Sequence, residues 1–122
     1  MPRGAFLRFY FGGERSYRGE GPVDLLFGMP PSRAGLDLYL DMLGDRPIPW
    51  SIAVVSGDPF DGEVARHALE RGGHLRVGIE DYAGLRSPSN LELVEEAVAL
   101  CAEVGRRVAT PAEAARLLDL PN

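Results

Sequence analysis

The stretch GGHLRVGIEDY, residues 72–82, sets an arginine and two acids within six positions of each other on what reads as a short strand. Side chains alternate along a strand. Leu75, Val77 and Ile79 therefore share one face, and His74, Arg76, Gly78 and Glu80 share the other. Asp81 follows at the strand end, on the side opposite Glu80. Carboxylates turned to opposite sides do not share one proton as a dyad does. They suit divided labour, one holding a divalent metal and the other acting as a base. Arg76 lies about 13 Å along the strand from Glu80, and its long side chain can reach up toward an anionic group. Gly78 leaves room between them. Burying Arg76 and Glu80 in an ordinary core would be very costly, so two readings stay open: an exposed edge strand, or a polar face lining a cavity.

The elements that must position these residues follow from patterning. Ala5–Phe11 (AFLRFYF) and Trp50–Ser56 (WSIAVVS) read as strands, as does His74–Glu80. Glu14–Pro22 reads as an exposed loop, and Val23–Phe27 as a short apolar run, either a strand or a continuation of the loop back to the sheet. Ser32 caps a helix with Leu36, Tyr39, Leu40 and Leu43 on one face. Residues 61–71 form a helix closed by Gly72-Gly73. Ser89 with Glu92, and Thr110 with Glu113, are capping boxes, the second with proline at the first helical position. The helix after Ser89 carries Leu91, Val94, Val98 and Cys101 on one side, which makes Cys101 a buried structural thiol. The last helix carries Ala114, Leu117 and Leu118. The predicted fold class is α/β: three βα units plus a terminal helix, with parallel strands, in a single domain spanning 1–122. Each strand ends in glycine and acid (Gly12-Gly13-Glu14, Gly57-Asp58, Glu80-Asp81). At Gly12, Gly13, Gly57 and Asp58 turn-making is the favoured reading.

Composition narrows the function classes. The chain has 122 residues, net charge −5 and one cysteine. The acidic balance argues against nucleic acid and anionic membrane surfaces as partners. No run reaches the roughly 18 apolar residues of a membrane span, and the N-terminus lacks a signal-peptide pattern. The single cysteine excludes an internal disulfide, and a cytoplasmic location is expected.

The run GGHLRVGIED resembles the signature of the β-keto acid cleavage enzymes, the family typified by 3-keto-5-aminohexanoate cleavage enzyme. FYFGGE, FGMPPSRAGLDLYLDML, PWSIAVVSGD and the ending SNLELVEEAVALCAEVGRRVATPAEAARLL are similar to that family's blocks in order and spacing. The resemblance implies the C-terminal part of a TIM (β/α)8 barrel with zinc at its mouth. It also implies retro-Claisen cleavage, in which a β-keto acid and acetyl-CoA give acetoacetate and a new CoA ester. By the same resemblance Glu80 is a metal ligand, Asp81 assists proton transfer, and Arg76 holds the substrate or the base. Zinc would polarise the keto oxygen. The family often has asparagine where this chain has Tyr82. Its other zinc ligands, a His-x-His pair on an early strand, have no match here. His67 lies on a helix in a surface or packing role, and His74 stands about 20 Å from Glu80 along the strand.

Three parallel strands do not close a barrel by themselves. The chain is therefore expected to pair with a missing N-terminal barrel portion, to form a homo-oligomer, or to be a piece of a longer protein. The alternative to an enzyme part is a non-catalytic α/β module that self-associates, with Arg76, Glu80 and Asp81 paired across its interface. A third class, a small phosphate-binding protein, lacks both a P-loop and a dinucleotide fingerprint.

Overall fold

The computed structural model describes residues 4–14 and 28–120. Its elements run β1 (Leu7–Gly12), α1 (Arg33–Leu43), β2 (Trp50–Val55), α2 (Val64–Glu70), β3 (His74–Leu75), α3 (Asn90–Glu103) and α4 (Pro111–Leu117). The three strands form one parallel sheet in the order β1-β2-β3, so the chain is α/β as expected. The Val23–Phe27 run and positions 15–22 lie outside the described residues.

The register explains the aromatic content of β1. Leu7 pairs with Trp50, Phe9 with Ile52 and Phe11 with Val54, so alternate residues of both strands face the helices. Phe9 stacks on Tyr39 of α1 at 5.0 Å, and Phe11 meets the same ring edge-on at 5.3 Å. Phe11, Leu36, Ile52, Val64 and Ala68 are fully or almost fully buried. Burial of each large side chain contributes roughly 1.5 to 3 kcal/mol, so this layer between the sheet and α1–α2 carries most of the stability.

Helix ends follow the sequence signals closely. Ser32 Oγ accepts from the Gly35 N–H at 3.0 Å, and both predicted capping boxes are formed. After α2, Gly72 takes φ +87°. The Gly72 and Gly73 N–H groups return to the Leu69 and Ala68 carbonyls at 3.2 and 2.8 Å, a Schellman closure. A Cβ on Gly73 would fall 2.1 Å from the Trp50 ring, whereas one on Gly72 meets nothing within 4 Å. α2 starts at Val64 rather than 61, because Asp58 Oδ1 accepts the Phe60 N–H at 2.9 Å and holds a turn there.

Two expectations are corrected. β3 spans two residues, not the whole of His74–Glu80. On α3, Leu93 is the fully buried residue, while Leu91, Val94 and Val98 are 65%, 49% and 46% exposed and Cys101 is half-buried. Val94, Val98 and Cys101 of the predicted stripe border a groove of about 400 Å³ shared with Leu75, Val77 and Val108. Among the described residues the sheet ends at β3, so nothing beyond that strand covers the stripe. Arg106 bonds the carbonyls of Leu69 and Gly73 at the foot of this groove.

Gly73→Ala should destabilise the fold by about 2 to 3 kcal/mol, since the Trp50 ring must move. Gly72→Ala should cost about 1 kcal/mol, from backbone conformation alone. Urea unfolding of the two variants separates these causes. Glu113 is held down to about 2 by the Arg107 guanidinium, then by the Thr110 backbone and hydroxyl. Its folded value lies below its unfolded one. Its contribution is therefore complete above the ordinary value of 4.5 and fades as pH falls toward 2. Helical signal from α4 should be lost over that window, and Glu113→Gln should flatten the loss.

Candidate functional site

The acid-bearing segment leaves and rejoins the sheet. Arg76 still donates its N–H to the Ile52 carbonyl at 2.9 Å, continuing the β3 ladder. Pairing resumes where the Ser56 N–H meets the Asp81 carbonyl at 2.9 Å and Gly57 bridges Tyr82. The offset between partners grows from 23 residues (Ser51 with His74) to 25 (Gly57 with Tyr82), so two residues are looped out. Residues 79–81 turn, and the Ile79 N–H donates to Asn90 Oδ1 at 2.9 Å. Strand alternation therefore fails beyond Val77, and the expectation that Glu80 and Asp81 point to opposite sides is corrected.

Arg76 instead brings them together. Its Nη2 lies 2.5 Å from Glu80 Oε2, and its Nη1 forms an ion pair with Asp81 Oδ2. One guanidinium thus spans two adjacent carboxylates, as its fork geometry allows. The two acids differ in setting: the Glu80 side chain is 79% exposed, the Asp81 side chain 20%. Glu80 presents an oxygen to solvent at the C-terminal edge of the sheet, while Asp81 is sheltered against Arg76.

A second cluster flanks this turn. Tyr82 donates its O–H to Asp58 Oδ2 at 3.1 Å, and Arg86 Nε donates to the same oxygen at 2.9 Å. The other end of Arg86 grips Glu96 on α3. Burial, then the Asp58 charge, raises the Tyr82 phenol above its ordinary value. The Glu96 and Asp58 carboxylates raise Arg86 further still. The sequence pointed to Asp58 as a turn former and to Tyr82 as a departure from a pattern. Their pairing joins loops 24 residues apart, so no local spacing revealed it.

The glycine-rich strand ends make a close backbone crossing. A Cβ on Gly13 would fall 2.1 Å from the Ser56 carbonyl oxygen. Ser56 itself is fully buried with φ +60°, and its Oγ has no hydrogen-bond partner. Strain of this kind costs about 1 to 3 kcal/mol, and it places the β2 end where it receives both neighbouring loops.

Neither histidine joins the acids. His67 is buried in α2 with Nε2 2.8 Å from Asp37 Oδ1, an oxygen shared with Arg71. The His67 hydrogen bond is the main cause lowering the Asp37 carboxyl. His74 is half-buried in the groove, held below its ordinary value by burial and then by Arg106. Among the described residues no group of three or more His, Cys, Asp or Glu is arranged to hold a metal. With Glu80 engaged by Arg76, these residues do not form a zinc site by themselves.

The profile of the beta-keto acid cleavage enzyme family matches residues 14–120. The chain is 43% identical over 101 residues to a 3-oxoadipate:acetyl-CoA acetyltransferase of Cupriavidus necator, covering 77% of this chain and 34% of that protein. It is 38% identical over 102 residues to a 3-keto-5-aminohexanoate cleavage enzyme of Fusobacterium nucleatum, covering 80% and 37%. Identity to a 3-dehydrocarnitine:acetyl-CoA trimethylamine transferase of Rhizobium meliloti is 31% over 107 residues, covering 83% and 36%. The chain thus spans about a third of the length of the curated relatives it matches.

Asp58→Asn removes the charge that disfavours the Tyr82 phenolate, so the Tyr82 titration midpoint should fall toward the ordinary tyrosine value of about 10. Ultraviolet titration with Tyr82→Phe as the subtraction reference measures it. An unmoved midpoint would show that burial alone raises the phenol.

Proposed function

The chain belongs to the β-keto acid cleavage enzyme family, and from that premise we propose that it supplies the C-terminal part of a zinc-dependent enzyme of this kind. The reaction proposed is retro-Claisen exchange: a β-keto acid R–CO–CH2–COO⁻ and acetyl-CoA give acetoacetate and the new thioester R–CO–SCoA. The observation that carries the reading is the Arg76 fork holding Glu80 and Asp81 at the C-terminal edge of a parallel sheet. In α/β folds that edge is where sites are built.

The proposed roles follow from exposure and charge. Asp81, sheltered and paired, takes and returns a proton at the substrate carbon between the two carbonyls. Arg76 orients that carboxylate, and its remaining donors suit a substrate carboxylate. Glu80, open to solvent, offers one oxygen to the metal. The other donors are proposed to come from polypeptide beyond these 122 residues, in the missing N-terminal barrel portion. That arrangement also suits a partial TIM barrel whose open edge needs a neighbour. No helix among the described residues is long and apolar enough to cross a membrane.

The second reading, a self-associating non-catalytic module, is favoured by the uncovered apolar groove along β3. Native mass and metal analysis separate the two. On the enzyme reading the chain alone carries no stoichiometric zinc. It should gain zinc and acetyl-CoA-dependent cleavage when co-expressed with the N-terminal two-thirds of a relative. In that assembly Glu80→Ala should lose both metal and cleavage, and Arg76→Ala should weaken substrate use more than metal binding. Full zinc and activity in Glu80→Ala would sink the assignment, and a metal-free homo-oligomer that ignores the added portion would favour the module.

A further inference from the structure

Residues 79 and 80 have left the β ladder, yet the turn they belong to carries two negative charges side by side. Mutual repulsion favours opening such a turn. Backbone pairing resumes only at Asp81, whose carbonyl accepts from Ser56, and at Ala83, whose N–H donates to Gly57 at 3.1 Å. Tyr82 sits between these two bonds. Its phenol reaches across to Asp58 in the loop after β2.

Asp58 is fully committed to this contact. Oδ1 accepts the Phe60 N–H, Oδ2 accepts Tyr82 and Arg86, and the side chain is 14% exposed. Arg86 lies 5.8 Å over the Tyr82 ring and is fixed from behind by Glu96. Gly84 makes room for the phenol, since a Cβ there would fall 2.2 Å from its oxygen. An asparagine at position 82 would be too short to place a donor where this phenol places its own.

We infer that Tyr82, anchored on Asp58 and through it on Arg86 and Glu96, is a positioning residue for the Arg76–Asp81 pair. The anchor and the carboxylate sit on adjacent residues, so a fixed phenol fixes the acid that Arg76 grips. The consequence for catalysis rests on the functional reading above; the latch itself does not.

Tyr82→Phe keeps the ring and its packing and removes only the donor. The probe is Arg76: a guanidinium gripped by two carboxylates shows separate, slowly exchanging Nη resonances in ¹⁵N spectra, and a released one averages them. Measured on the whole 122-residue chain, Nη exchange at Arg76 and amide exchange at Ser56 and Ala83 should each rise about fivefold. The Arg76 amide, bonded to Ile52 before the looped residues, should not change. Arg86→Gln should act in the same direction and serves if Tyr82→Phe does not fold. Unchanged Arg76 resonances in the folded variants would overturn the inference. So would a uniform rise that includes the Arg76 amide, since that marks a general loss of stability. Neither result depends on zinc or cleavage, so failure of the enzyme reading would leave this test standing.

Discussion

Two backbone hydrogen bonds, from Ser56 to the Asp81 carbonyl and from Ala83 to the Gly57 carbonyl, decide where both acids stand. The chain after β3 pairs with β2 through Arg76, departs over residues 77–80, and pairs again from Asp81 with its offset grown by two residues. A continuous strand would have sent Glu80 and Asp81 to opposite faces of the sheet. The looped-out pair brings them to the same guanidinium instead. The strained Ser56 backbone and the glycine crossing at Gly13 are what allow the end of β2 to receive the returning chain.

Electrostatics and packing divide the work around this turn. Arg76 neutralises two carboxylates that would otherwise repel, but its exposed partner gains little stability from the pair, because water screens it. The aromatic layer of buried Phe11 and Trp50 with partly buried Phe9 and Tyr39 supplies the stiffness on which the ion pairs depend. The ion pairs orient side chains, and the apolar layer holds the sheet. The site stands at the opposite end of the strands from the Gly72-Gly73 closure.

The apolar face of α3 belongs to the same logic. Its stripe of Leu91, Val94 and Val98 is patterned for burial, yet all three are exposed, and Val94 and Val98 border an open groove. A helix in a parallel α/β fold packs against its own strand and the next one. With β3 at the edge of the sheet among the described residues, the stripe has only half of its expected surroundings. Sequence periodicity reports what a face is suited to bury, and burial itself requires a neighbour.

Much was legible in the sequence alone. Caps at Ser32, Ser89 and Thr110, the glycine closure after α2 and the parallel α/β order all follow from sequence patterning. The caps join residues three apart, so spacing encodes them. Tertiary structure alone decided the length of β3, the shared grip of Arg76, the Asp37–His67 pair and the Asp58–Tyr82–Arg86 latch. Those contacts join residues 24 to 30 apart or hinge on a two-residue slip in register. A slip of that size leaves no mark on hydrophobic patterning, because looping out two residues restores the same face.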